Sequence, residues 1–67
     1  MNWIDVEICL PFTDEEVLCR VAANGELKYV VCRYLEGTWV WYNYYCDDWV
    51  PLPYEWRITF WTHIQRD

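Results

Sequence analysis

Four cysteines, one histidine and two runs of carboxylates are the residues of this 67-residue chain best suited to chemistry. Cys9, Cys19, Cys32 and Cys46 are separated by nine, twelve and thirteen residues. Zinc sites usually offer at least one close pair of ligands, with about two residues between them, and no such pair exists here. The spacing favours core thiols over a metal site, and reduced thiols over a disulfide framework in a chain read as intracellular. His63 has no cysteine or serine near it in sequence to form a nucleophile and base pair, so it reads as an ordinary strand or surface histidine. The acids Asp14-Glu15-Glu16 and Asp47-Asp48 would need a cleft that splits their pKa values before one could act as acid and another as base. Nothing in the sequence supplies that cleft. Gly25 and Gly37 each sit between apolar runs, as turn residues do, which leaves no phosphate-cradling loop. No catalytic residue, metal ligand or cofactor is expected, and the chain reads as a binding protein rather than an enzyme.

What such a protein would bind with is aromatic. Six Trp, six Tyr and two Phe make up 21% of the residues. Each buried ring removes about 150–250 Å² from water, and a domain this short buries only about 60% of its unfolded surface. Some rings must therefore meet solvent, a ligand or another chain. The candidates are Tyr29, Tyr42, Tyr44, Trp49, Tyr54, Trp56 and Trp61. Arg20 and Arg33 are the cations expected beside them, and Asp47 and Asp48 the acidic rim. Net charge is −6, from eleven acids and five bases. That balance repels phosphate backbones and anionic lipid, which argues against nucleic acid and membrane as partners; it favours a basic partner, or is simply the solvated acidic surface that keeps the chain soluble. The N-terminal residues carry Asp5 and Glu7 and no basic leader. The longest uncharged run, residues 37–46, has ten residues and is too short to cross a bilayer as a helix. A cytoplasmic chain is expected.

These side chains need a sheet to position them. Thr38 to Cys46 holds five Trp or Tyr in nine residues and no charge, which favours a half-buried pleated surface; it is expected to be the central strand. Met1 to Leu10 alternates, with Ile4, Val6, Ile8 and Leu10 on one side, and reads as a strand or extended segment ended by Pro11. Pro11 to Glu16 reads either as a single helical turn, since Thr13 and Glu16 match a capping box, or as an acidic surface turn. Val17–Ala23 and Glu26–Leu35 flank Asn24-Gly25, the strongest short hairpin signal. A two-residue turn there pairs Cys19 with Val30 and Val17 with Cys32. A second tight turn at Glu36-Gly37 pairs Tyr34 with Trp39 and Cys32 with Trp41. One face then collects Val17, Cys19, Val21, Val30, Cys32, Tyr34, Trp39 and Trp41 as the core. The other collects Leu18, Arg20, Tyr29, Val31, Arg33, Val40, Tyr42 and Tyr44. Asp47 to Tyr54 reads as a loop, because Pro51 and Pro53 each remove a backbone donor. Glu55 to Ile64 reads as a last strand on which Ile58 and Phe60 alternate with Arg57, Thr59 and Trp61. The sum is one small all-β domain over residues 1–67, a twisted antiparallel meander of four to five strands forming a curled sheet or a small open barrel.

Trp3-Ile4-Asp5-Val6, then Leu10-Pro11 and Val17-Leu18, then Trp49-Val50-Pro51-Leu52-Pro53 form a set of short motifs. Together they resemble a family of short phage and prophage proteins of unknown function. The resemblance covers Trp3 to about Pro53, and residues 54–67 extend beyond the usual end. It implies a viral accessory protein, and it assigns no catalytic residues. Three functions follow as expectations. The first is a phage accessory protein that binds and inhibits a host protein, such as a defence factor, through the acidic, aromatic surface. The second is an oligomeric small-molecule binder or sponge for a nucleotide signal, held by stacking rings with Arg20, Arg33 or Arg57. The third is a self-associating structural module. Homo-oligomers are expected under all three, because a small sheet has exposed edges.

Overall fold

Six strands form one sheet in the computed structural model, which describes residues 2–64. Met1 and the polar tail 65–67 lie outside the described residues. The strands are β1 (Ile4–Asp5), β2 (Glu16–Ala23), β3 (Glu26–Leu35), β4 (Thr38–Asn43), β5 (Asp48–Pro51) and β6 (Trp56–His63). Their order across the sheet is β1-β6-β2-β3-β4-β5, and every neighbouring pair is antiparallel. The expected all-β class is what forms, with six strands rather than four or five.

The two hairpins follow from their turns. Asn24 and Gly25 have φ of 50° and 80°, and Glu36 and Gly37 have φ of 47° and 83°. Two consecutive left-handed residues are the type I′ geometry whose twist matches the strands it joins. The pairings Cys19–Val30, Val17–Cys32, Tyr34–Trp39 and Cys32–Trp41 form as the turn lengths dictate.

Curvature follows from the last connection. β5 and β6 run parallel and lie four strand positions apart, about 19 Å in a flat sheet. Only residues 52–55 join them, a reach of about 18 Å when fully extended and less here, because Trp56 N–H donates back to the Pro53 carbonyl at 3.0 Å. The sheet must therefore curl until the end of β5 approaches the start of β6. Leu52 packs on the enclosed core as the link crosses. Among the described residues no strand pair joins β1 to β5, so the sheet stays open there.

The inner face holds Val17, Cys19, Val21, Cys32, Ile58 and Trp61, with Ile4, Val6, Val30, Trp39, Trp41 and Trp56 packed around them. β2 alternates buried and half-buried residues along its whole length, as a strand at the centre of a curled sheet should.

Four expectations are corrected. The central strands are β2 and β3; β4 lies next to the edge. Residues 48–51, read as loop, form edge strand β5, where Pro51 is tolerated because its missing donor faces no partner. The first strand stops at Asp5, whose Oδ1 accepts the Glu7 N–H at 2.9 Å while its carbonyl accepts Ile8 N–H and Cys9 N–H. That side-chain turn diverts the chain, so Ile8, expected inward, is 83% exposed. In β6 the pairing passes from Arg20–Phe60 to Val21–Ile58, which leaves Thr59 as a bulge. The extra residue puts Ile58 and Trp61 on one face and Phe60 on the other. Of the two readings of residues 11–16, the acidic surface turn forms, with Asp14 at φ 69° and its N–H donating to the Tyr34 carbonyl at 3.0 Å.

Candidate functional site

Alternation along β2, β3 and β4 sends Leu18, Arg20, Tyr29, Val31, Arg33 and Tyr42 to the outer face, opposite the core. Three adjoining hollows cross this face, and Val31 lines all of them. The largest, about 680 Å³, lies at the β1 and β6 end, where Leu18 and Thr62 of this face meet Ile4, His63 and Ile64 at the rim of the sheet. The second, about 400 Å³, lies toward β5, between Glu16, Arg33, Tyr42, Tyr44 and Trp49. The third, about 250 Å³, lies between Tyr29, Tyr42 and Tyr44. Together they make a shallow groove that runs across the strands.

Aromatic rings wall this groove. Tyr29 is 58% exposed and meets the Trp3 ring at a centroid distance of 5.8 Å. Tyr44 is 85% exposed and stands edge-on to Tyr42 at 5.0 Å. Tyr42 in turn stands edge-on to Trp49 at 5.5 Å, and its hydroxyl donates to Asp47 Oδ1. Edge-to-face packing of this kind fixes each ring in place and leaves faces open.

The charges sort by end. Arg33 lies over the Trp49 ring, Cζ 4.6 Å from the centroid, and pairs with Asp14 at 3.3 Å and Glu16 at 3.9 Å. Asp47 and Asp48 flank the same end, the latter through Oδ1 accepting the Trp49 N–H at 2.8 Å. Arg20 lies over Phe60 at 5.2 Å with its Nε buried and without a hydrogen-bond partner among the described residues. At the β1 and β6 end His63 Nδ1 meets Glu15 Oε2 at 2.6 Å, on the side of the sheet where the His63 ring stands 5.0 Å from Trp61.

Eight of the eleven candidate residues thus lie on or beside this face: Tyr29, Tyr42, Tyr44, Trp49, Arg20, Arg33, Asp47 and Asp48. Three do not. Trp61 is 3% exposed in the core, with its indole N–H donating to the Cys9 carbonyl at 2.8 Å. Trp56 packs on the inner side, 4.8 Å from the Trp41 ring and 5.2 Å from Lys28 Nζ. Tyr54 is exposed in the link between β5 and β6, apart from the groove. Trp3, Asp14 and Glu16 join the site unannounced by the sequence. The odd-numbered side of the first segment carries Trp3, but only the place of β1 beside β6 brings its ring over the outer face.

The thiols divide too. Cys9 and Cys46 are exposed, and Cys19 and Cys32 are fully buried. A hydrogen bond with Cys32, then burial, pushes the Cys19 thiol far up from its ordinary value. Among the described residues no group of three His, Cys, Asp or Glu is placed to hold a metal ion.

The chain matches no family model, no curated protein and no solved structure. The segment Trp49-Val50-Pro51-Leu52-Pro53 builds most of edge strand β5 and the start of the link that forces the sheet to curl.

Proposed function

We propose that this is a phage accessory protein that docks on a basic host protein in the cytoplasm and inhibits it. The observation that carries this reading is the outer groove: three hollows meeting at Val31, walled by exposed Tyr29 and Tyr44, with Trp3 packed against Tyr29 and acids at the β5 end. Exposed Trp and Tyr are the residue types that anchor protein interfaces, and an acidic rim steers a basic partner onto them. The net charge and the phage-like motifs support the same reading. The decisive variant is Val31→Glu, which places a charge where the three hollows meet, on a side chain outside the core. The host protein captured by the wild-type chain should bind the purified variant at least ~100-fold more weakly, at unchanged melting temperature. Equal binding by both chains would refute the groove as the docking surface.

A second reading has one observation in its favour. Arg20 is a guanidinium with an unbonded Nε beside Phe60, on the face where Trp3 meets Tyr29, an arrangement suited to a base and its phosphate. A thermal-shift panel of nucleotides tests it, and a rise abolished by Arg20→Gln would favour it. The mass of the chain in solution tests the third possibility, self-association through the same groove.

A further inference from the structure

The free edge of β5 narrows the chemistry of the partner. Leu35 and Thr38 flank a two-residue turn, so they exchange both of their backbone hydrogen bonds. Alternation along β4 then aims the backbone groups of residues 38, 40 and 42 at β3, and those of 39, 41 and 43 at β5. Within β5, the partners of Trp41 and Asn43 are Val50 and Asp48, so these two face β4. Trp49 and Pro51 face outward. Pro51 has no N–H to offer. The Trp49 N–H is already taken by Asp48 Oδ1 at 2.8 Å. The edge therefore presents carbonyls and a carboxylate, and no open donor.

An incoming β-strand needs donors and acceptors in alternation, and this edge supplies only acceptors. A guanidinium is the complement, with five donors and no acceptor. The ring beside the edge already shows the preference: Trp49 carries the chain's own Arg33 at 4.6 Å. Asp47 and Asp48 stand beside this edge, and Asp14 pairs with Arg33 at 3.3 Å, so the end of the sheet is acidic and suits a cation. We infer that the β5 edge, with Tyr42 and Trp49, is a docking site for arginine side chains of the partner and is closed to strand addition. This rests on the outer groove being the docking surface.

The probe is a capped peptide with two arginines in a glycine context, titrated into the full chain and followed by backbone amide and indole NMR shifts. A citrulline peptide of the same length keeps the shape and removes the charge. The arginine peptide should shift the Trp49 amide and indole signals. The citrulline peptide should bind at least ~10-fold more weakly, the scale of one cation–π contact with its ion pair. Asp48→Asn keeps an acceptor for the Trp49 N–H and removes one charge, so it should weaken the arginine peptide and leave the citrulline peptide unchanged. The double variant Asp48→Ala with Pro51→Val restores two outward donors and should self-associate with rising concentration, where the wild-type edge does not pair. Equal binding of the two peptides would overturn the inference, as would no Trp49 shift at about 10 mM arginine peptide or wild-type chains pairing through β5. A partner lost on Val31→Glu but indifferent to Asp48→Asn would leave the docking reading standing and remove this one.

Discussion

Trp61 separates a fold role from a binding role more sharply than any other residue. Its ring lies on the inner face beside Ile58 and Cys19, and its indole N–H donates to the Cys9 carbonyl, holding the long first loop to the sheet. Burying a ring of about 150–250 Å² at about 25 cal/mol per Å² contributes roughly 4–6 kcal/mol. Truncations of core Trp to Ala cost about 3–5 kcal/mol. A domain of this length has a total stability of about 3–10 kcal/mol. Trp61→Ala is therefore expected to remove most or all of the stability. Trp61→Phe keeps the ring on the core but leaves the Cys9 carbonyl without its donor, and a net hydrogen bond is worth about 1 kcal/mol. With the smaller ring added, a loss of about 1–2 kcal/mol is expected, a drop of roughly 4–15 °C in melting temperature. Thermal and urea unfolding followed by near-UV circular dichroism measure both. If Trp61→Ala melts within about 2 °C of wild type and yet loses its partner, Trp61 belongs to the surface and the bulge at Thr59 has been placed wrongly.

Further outcomes follow from the turns and the thiols. Glu36 holds φ of 47° at a position that suits Asn, and a side chain with a Cβ costs about 1–2 kcal/mol there. Glu36→Asn should raise stability by about 0.5–1 kcal/mol in denaturant titration. Gly37→Ala should lower it, through strain alone, since an added Cβ meets nothing within 4 Å at φ of 83°. In the native state a thiol reagent should modify Cys9 and Cys46 quickly and reach Cys19 and Cys32 only on unfolding. The Cys19 thiol is raised in the fold, so the unfolded chain ionises first as the pH climbs past 9.0. Its contribution is complete below that value and is lost above it, and Cys19→Ala should flatten the alkaline fall in stability.

The local pattern of the sequence decided the central hairpins. Asn24-Gly25 and Glu36-Gly37 fix two turns, turn length fixes register, and register fixes which side chains share a face. That chain of dependence puts Val17, Cys19, Val21 and Cys32 inside, and Arg33 with Tyr42 outside, from local sequence alone. It is also why most of the candidate site was legible. Only the tertiary structure decided the rest, because those elements have no short-range partner. β6 pairs with β2, some forty residues earlier in the chain, and its bulge is set by what Val21 and Cys19 must bury rather than by any signal near Thr59. Trp61 is a surface candidate by simple alternation and a core residue once the bulge shifts the phase by one. β1 sits beside β6, which carries Trp3 onto a face that its own neighbours do not announce. Local chemistry wrote the hairpins, and the need to enclose one small core with one curled sheet placed everything around them.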